Sequence, residues 1–307
     1  MRITRLTHDV SVALPADAGA AGAADGPAIA RMTLGERLRR LREAQYITRG
    51  EAAEAIRLQQ AQLTLMELGR TGFRARDVSD LMTVYGLHDE SERATLHALV
   101  PQTNVPGWWH PYADVVPRWL SAYLGLEHAA GVIRSYELQF VPGLLQTREY
   151  ARAVVSLGHA HEPESRLRRR VELRMSRQRV LRRARPPHVW AVVDEAALRR
   201  PVGGPEVMRA QLEHLLAACE LPHVTLQVLP FGAGGHAAAG GPVTLLRVPQ
   251  PGLPDVVYLE QLFDAHYPED PEDIRRYRQV VDRLVTTAEP PTRTPALLRE
   301  ILDDGWS

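Results

Sequence analysis

The residues best equipped for chemistry are aromatic side chains interleaved with carboxylates: Trp119, Tyr123, Tyr136, Glu137, Trp190, Asp194, Glu195, Tyr258 and Glu260. Aromatic walls with a few carboxylates are what a pocket for a small organic ligand needs. The alternative is that they fill a core, with Asp194 capping a helix where a strand ends. Glu137 or Glu260 is the acid that a cofactor-free reaction, such as a cyclisation in natural-product biosynthesis, would use. The glycine-rich loop 231–241 is a weaker candidate. A phosphate-binding loop follows a strand and opens a helix, whereas this one joins two strands, so a flexible hairpin is expected with His236 in solvent or gating a pocket. His159 and His161 lack zinc-ligand spacing, so no metal is expected, and there is no Gly-x-Ser-x-Gly elbow.

Composition excludes more. The 37 basic residues are all arginine. Without lysine there is no Walker-A, Schiff-base or kinase-type ATP lysine, and no cofactor is expected. The reading leans away from an enzyme. With 37 acids the formal net charge is zero, so binding to nucleic acid would require a local patch. The strongest such patch is 166–185, with ten arginines against Glu172 alone. It would track phosphates, seat an acidic partner, or snorkel from a solvated helix whose stripe Leu167, Val171, Met175 and Leu181 faces the core. The single cysteine, Cys219, fits a cytoplasmic protein. No run approaches the ~18 apolar residues of a membrane span.

The elements that must position these residues fall into a mainly α chain with a small mixed sheet: an all-α helix-turn-helix domain followed by a larger α+β domain. Residues 1–30 end Ala/Gly-rich and read as a poorly ordered arm, with a strand-like segment through Ile3, Leu6 and Val10. Residues 31–100 carry five helices. The first is expected to start at Thr33 with Glu36 in a capping box, and Thr48 with Glu51 repeats that signature. The proline-broken stretch 101–117 is the linker, with Trp108 and Trp109 docking the two parts. Residues 118–307 form the ligand- or partner-binding domain. Its helices are expected at 118–131, 147–157, 164–183, 204–220, 271–287 and 294–302, and its strands at 188–193, 224–229, 243–248 and 255–259.

The segments Leu34-Gly-Glu-Arg-Leu, Thr48-Arg-Gly-Glu-Ala-Ala and Leu63-Thr-Leu-Met-Glu67 resemble a Cro/cI (XRE)-type helix-turn-helix. The later motifs Phe140-Val-Pro-Gly-Leu-Leu-Gln, Val193-Asp-Glu-Ala-Ala-Leu-Arg and Val257-Tyr-Leu-Glu resemble the C-terminal domain of WhiJ-like, antitoxin-like actinobacterial regulators. The resemblance implies a dimeric repressor on double-stranded DNA, a recognition helix over 59–68, and a small partner protein encoded nearby or a small-molecule ligand as the signal. Groove and phosphate contacts then fall to Arg49, Arg57, Gln59, Gln60, Gln62, Thr64, Arg70, Arg74 and Arg76, with Gln60 or Gln62 reading adenine edges.

Several positions depart from that pattern. Tyr46 and Arg57 stand where the family has glycine, at turns that favour a left-handed backbone costing other residues ~1–2 kcal/mol. Arg49 replaces a usual glutamine, Gln59 a usual capping serine, and Leu65 a usual arginine. Residues 31–100 carry 11 arginines and 10 acids, a weak local field. Two readings therefore stand: a regulator, or a repurposed family member that has lost DNA binding and works as a small-molecule-binding protein or cofactor-free enzyme.

Overall fold

A computed structural model describes residues 26–238 and 240–305. The strand-like segment through Ile3, Leu6 and Val10 lies outside the described residues. Five helices come first: α1 (Pro27–Ala44), α2 (Arg49–Ala55), α3 (Gln60–Glu67), α4 (Ala75–Val84) and α5 (Glu90–Thr103). The Thr48–Glu51 capping box forms as expected, with each side chain closing on the other's backbone N–H. The one expected at Thr33 does not. Helix α1 begins two turns earlier, after Gly26, with Pro27 at its first position, where its missing N–H costs nothing. Residues 27–30 therefore belong to a helix rather than an arm. Helix α5 likewise runs through Pro101 to Thr103.

The second part contains α6 (Arg118–Ala129), β1 (Val132–Glu137), α7 (Arg148–Gly158), α8 (Glu164–Arg177), β2 (His188–Asp194), α9 (Glu195–Arg199), α10 (Pro205–Ala218), β3 (Val224–Leu229), β4 (Val243–Arg247), β5 (Val256–Glu260), β6 (Ala265–His266), α11 (Pro271–Thr287) and α12 (Thr294–Gly305). The basic helix stops at Arg177 and continues only as a 3-10 turn, Gln178–Arg182. The strands form one six-stranded mixed sheet in the order β3-β2-β1-β4-β5-β6. Strands β1, β2 and β3 are parallel, whereas β4, β5 and β6 are antiparallel to their neighbours. Sequence reasoning missed β1, which lies at the centre of the sheet.

Two apolar layers cover the sheet. One face carries Ile133, Val189, Ala191, Val193, Leu226 and Leu246 against the inner sides of α6, α7, α10 and α12. The other carries Tyr136, Val192, Leu245 and Val257 beneath Val281 and Leu284 of α11. A third core, built on Leu34, Leu38, Leu63, Phe73, Leu81 and Tyr85, belongs to the five-helix part.

Helix α1 serves two cores. Its first two turns place Ala28, Ile29 and Met32 in the α6 layer of the sheet domain, while Leu34 and Leu38 sit in the five-helix core. Trp109 packs near this junction: a Cβ on Gly125 of α6 would lie 3.0 Å from the Trp109 ring and 3.4 Å from Ala28. Further along, α1 crosses α3 so closely that a Cβ on Gly35 would come within 2.3 Å of the Met66 carbonyl oxygen.

Candidate functional site

In the five-helix part, α2 and α3 are joined by a tight turn through Arg57, which adopts φ 57°; Tyr46, at the end of α1, adopts φ 56°. Both are non-glycine residues in the left-handed region, at the two turns where such a backbone was expected. Tyr46 is 94% exposed. Gln59 is the residue before α3, and its side chain makes no capping hydrogen bond, as expected for glutamine. The outer face of α3 presents Gln60, Gln62 and Leu65 to solvent, flanked by exposed Arg57 and Gln59. The Thr64 hydroxyl donates to the Gln60 carbonyl. Arg74 and Arg76 are exposed at the start of α4, the latter 3.5 Å from Asp80.

Two other arginines expected on DNA are engaged within the protein. Arg49 donates through Nε to Glu67 at 2.9 Å and through Nη1 to Glu269, in the approach to α11, at 3.0 Å. Arg70 packs its guanidinium 4.3 Å over the Tyr267 ring and donates to the Tyr267 carbonyl. The hub of this arrangement is Glu67, whose side chain is fully buried. It accepts two hydrogen bonds from Arg42 as well as that from Arg49. Glu67 ties α1, α2 and α3 together and thereby fixes the angle at which α3 projects.

The aromatic and acidic candidates of the sheet domain divide by strand parity, because successive side chains point to opposite faces. Glu137, Tyr258 and Glu260 fall on the α6 side and Tyr123 of α6 meets them there, around a cavity of about 540 Å³. Tyr136, Trp190 and Asp194 fall on the α11 side, and Trp119 and Glu195 also lie outside the cavity. The Trp190 indole N–H donates to Gln227, and its ring stacks under Arg134. Asp194 caps α9 and accepts from Tyr136. Glu195 pairs with Arg199 and accepts from the Phe231 N–H. Trp119 packs against the core and offers its carbonyl to Tyr267. His236 is half-buried: its Nδ1 accepts from the Ala238 N–H, so its Nε2 carries the proton and donates to the Tyr136 hydroxyl. This chain to Asp194 pins the glycine-rich loop to the strand ends.

Sequence reasoning overlooked several residues of the cavity and its link to the helices. Glu127 accepts a two-pronged pair from Arg177 at 2.9 and 2.7 Å. Arg174 reaches Gln146 at 3.1 Å. These arginines come from the basic stretch taken for a surface patch, much of which is tied down. Arg169 pairs with Asp114, Arg170 with Glu162, and Arg183 donates to main-chain carbonyls. Of the stripe expected to face the core, Val171 is buried, Leu181 packs half-buried against the sheet-domain core, and Leu167 and Met175 are half-buried; Leu173, outside that stripe, is buried as well. The four-residue spacing of Tyr123 and Glu127, and the three-residue spacing of Arg174 and Arg177, were the available signals of shared helix faces.

The electrostatics of the cavity are unbalanced. Burial, and then Glu260, push the Glu137 carboxyl up from 4.5 to about 8. Burial, and then Arg177, push the Arg174 guanidinium down. Arg177, held by Glu127, is pushed up despite its burial. The Tyr258 hydroxyl donates to Glu260 at 2.9 Å.

A continuous stack leads from the cavity to the end of α3. The Tyr123 and Tyr258 rings lie 4.1 Å apart, and Tyr258 meets Tyr267 edge-on at 5.3 Å. Tyr267 carries Arg70, three residues beyond the end of α3. A second cavity of about 330 Å³ lies between the two parts, lined by Glu36, Arg39, Glu67, Arg70, Arg247 and Glu269 among others.

A helix-turn-helix with an exposed outer face on its third helix defines the class of DNA-binding regulators, and residues 33–96 match a family described as a helix-turn-helix domain. Residues 120–300 match a family described as a domain of unknown function (DUF5753). That second match spans more than half of the chain, and the chain belongs to this family. No curated protein and no solved structure matches it. Among the described residues, no helix is long and apolar enough to cross a membrane.

Proposed function

We propose that the chain is a repressor of the WhiJ-like, antitoxin-like kind, whose C-terminal domain receives a small-molecule signal in the cavity beneath Tyr123 and Tyr258 and passes it to α3. The observation that carries this reading is the unbroken packing from cavity to helix: Tyr123, Tyr258, Tyr267, Arg70. A ligand shifts DNA affinity only by binding two arrangements of the domains unequally. The Tyr267–Arg70 and Glu269–Arg49 contacts are where two such arrangements would differ. Two copies would set paired recognition helices about one DNA turn apart, ~34 Å, and read a two-fold operator. Gln60 and Gln62 would face base edges, Leu65 a thymine methyl, and Arg57, Arg74 and Arg76 phosphates.

The test is a mobility shift of the full chain on the promoter fragment upstream of its own gene, across a salt series, with a scrambled duplex as control. Specific binding that weakens steeply with salt is the expected result. Equal binding to both duplexes, or none at low salt from a folded sample, would reject the repressor. It would leave a protein that works through the cavity alone.

A further inference from the structure

In the 540 Å³ cavity, Glu127 and Arg177 satisfy each other. Three charged groups remain. Glu137 makes no hydrogen bond or ion pair with any described residue. Glu260 has only the Tyr258 hydroxyl and Arg174 only the Gln146 amide oxygen. The cavity therefore offers two open carboxyls, from the ends of β1 and β5 on either side of β4, and one open guanidinium from α8. The remaining walls mix apolar side chains, Tyr123, Phe140, Val141, Leu144, Val154 and Val189, with the polar Ser135, Gln139, Thr244 and Gln261.

We infer that this cavity binds a small zwitterion of the amino-acid-derived class, its ammonium group between Glu137 and Glu260, its carboxylate on Arg174, and an aromatic or branched body against Tyr123 and Phe140. The inference rests on the ligand-sensing reading above and names the ligand's chemistry. A ligand bearing only a cation would leave Arg174 without an anion, and one bearing only an anion would leave the two carboxyls without a cation. Glu137 and Arg174 are half-buried, and Glu260 stands exposed at the cavity rim; half-buried polar groups left without partners are costly, and a ligand that supplies both signs gives them partners. The directions of displaced ionisation agree: burial and then Glu260 raise the Glu137 carboxyl, and burial and then Arg177 lower the Arg174 guanidinium, effects that a bound cation and a bound anion would oppose. The cavity lies within the ~300–1,000 Å³ range of pockets that enclose drug-sized molecules, so amino acids with large side chains and apolar dipeptides both qualify.

The experiment is calorimetric titration of the full chain with L-phenylalanine, L-tryptophan and L-leucyl-L-phenylalanine. Each is compared with its N-acetyl and its C-amide derivative, which delete one charge at a time. At least one zwitterion should bind about tenfold or more tightly than both of its derivatives, as expected for loss of a charged hydrogen bond. Glu137→Gln should erase the preference over the N-acetyl form, and Arg174→Gln the preference over the amide. Because the derivatives are tested on the unaltered protein, a variant that fails to fold does not blunt the result. No heat from any zwitterion at millimolar concentration, or tighter binding of a singly charged derivative, would overturn the inference. Promoter binding is measured separately, so specific DNA binding without zwitterion binding would remove this ligand class and leave the regulator standing.

Discussion

Glu67 and Glu269 hold opposite ends of one guanidinium, that of Arg49, so a buried acid of α3 and a surface acid of the sheet domain share a single cation. The arrangement is asymmetric in energy. The Glu67 side chain is fully buried, whereas that of Glu269 is 36% exposed and its interaction is screened by solvent. The helix-turn-helix is thus firmly braced within itself and lightly tethered to its neighbour.

Glu67→Ala should therefore cost ~3–5 kcal/mol, because it removes the two-pronged partner of buried Arg42 and leaves it only exposed Glu43, 3.5 Å away. Glu269→Ala should cost less than ~1 kcal/mol. Urea unfolding of both variants checks the contrast; equal losses would mean that Glu67 is not the hub.

Tyr46→Gly should raise stability by up to ~1 kcal/mol. Relief of a left-handed backbone worth ~1–2 kcal/mol is partly offset by the greater freedom of glycine in the unfolded chain. Arg57→Gly should do the same while reducing the salt slope of promoter binding by about one unit, if Arg57 holds a phosphate. Thermal melts read the first effect and salt-dependent mobility shifts the second.

Gln62→Ala should relax sequence preference at one operator position by ~1–3 kcal/mol and leave binding to a scrambled duplex almost unchanged. Competition against single-base operator variants measures this. Equal losses on every duplex would assign Gln62 a role other than base reading.

The Glu137 carboxyl should make stability fall with rising pH. Its ordinary value is 4.5 and its folded value about 8. Across that window the native state holds a proton that the unfolded chain has released, so unfolding becomes easier as pH rises. Glu137→Gln removes this penalty. The variant should match the unaltered protein near pH 4.5 and exceed it increasingly towards pH 8, as read by melting temperature. A pH-independent difference would mean that the carboxyl is ionised throughout.

Periodicity and capping made most of the secondary structure legible, including β3 and α11 to the residue. The central strand β1 was missed because Val132-Ile-Arg-Ser-Tyr-Glu follows α6 with only Ala130 and Gly131 between them, too short a break to announce a new period. The start of α1 was missed because Ala28 and Ile29 are buried by a partner element remote in sequence, which no local pattern reports. Four of the nine pocket candidates line the cavity: Tyr123, Glu137, Tyr258 and Glu260. Glu137 was separable from Tyr136 in principle, since neighbours on a strand face opposite ways, but only once β1 was known to be a strand. The ion pair that occupies Arg49 and the ring and carbonyl that occupy Arg70 depend on Glu269 and Tyr267, some two hundred residues away, and a charge tally cannot see them.

The shared helix α1 also sets terms for exchanging parts between proteins. The matched helix-turn-helix segment opens at residue 33, after Ala28, Ile29 and Met32 have already entered the other domain's core. A recombination at that boundary would deliver a motif without the plug that its new host requires, leaving a void beside Tyr123 and Leu126. Viable chimaeras of this architecture should have their junctions upstream of Pro27, so that reader and sensor travel as a fitted pair.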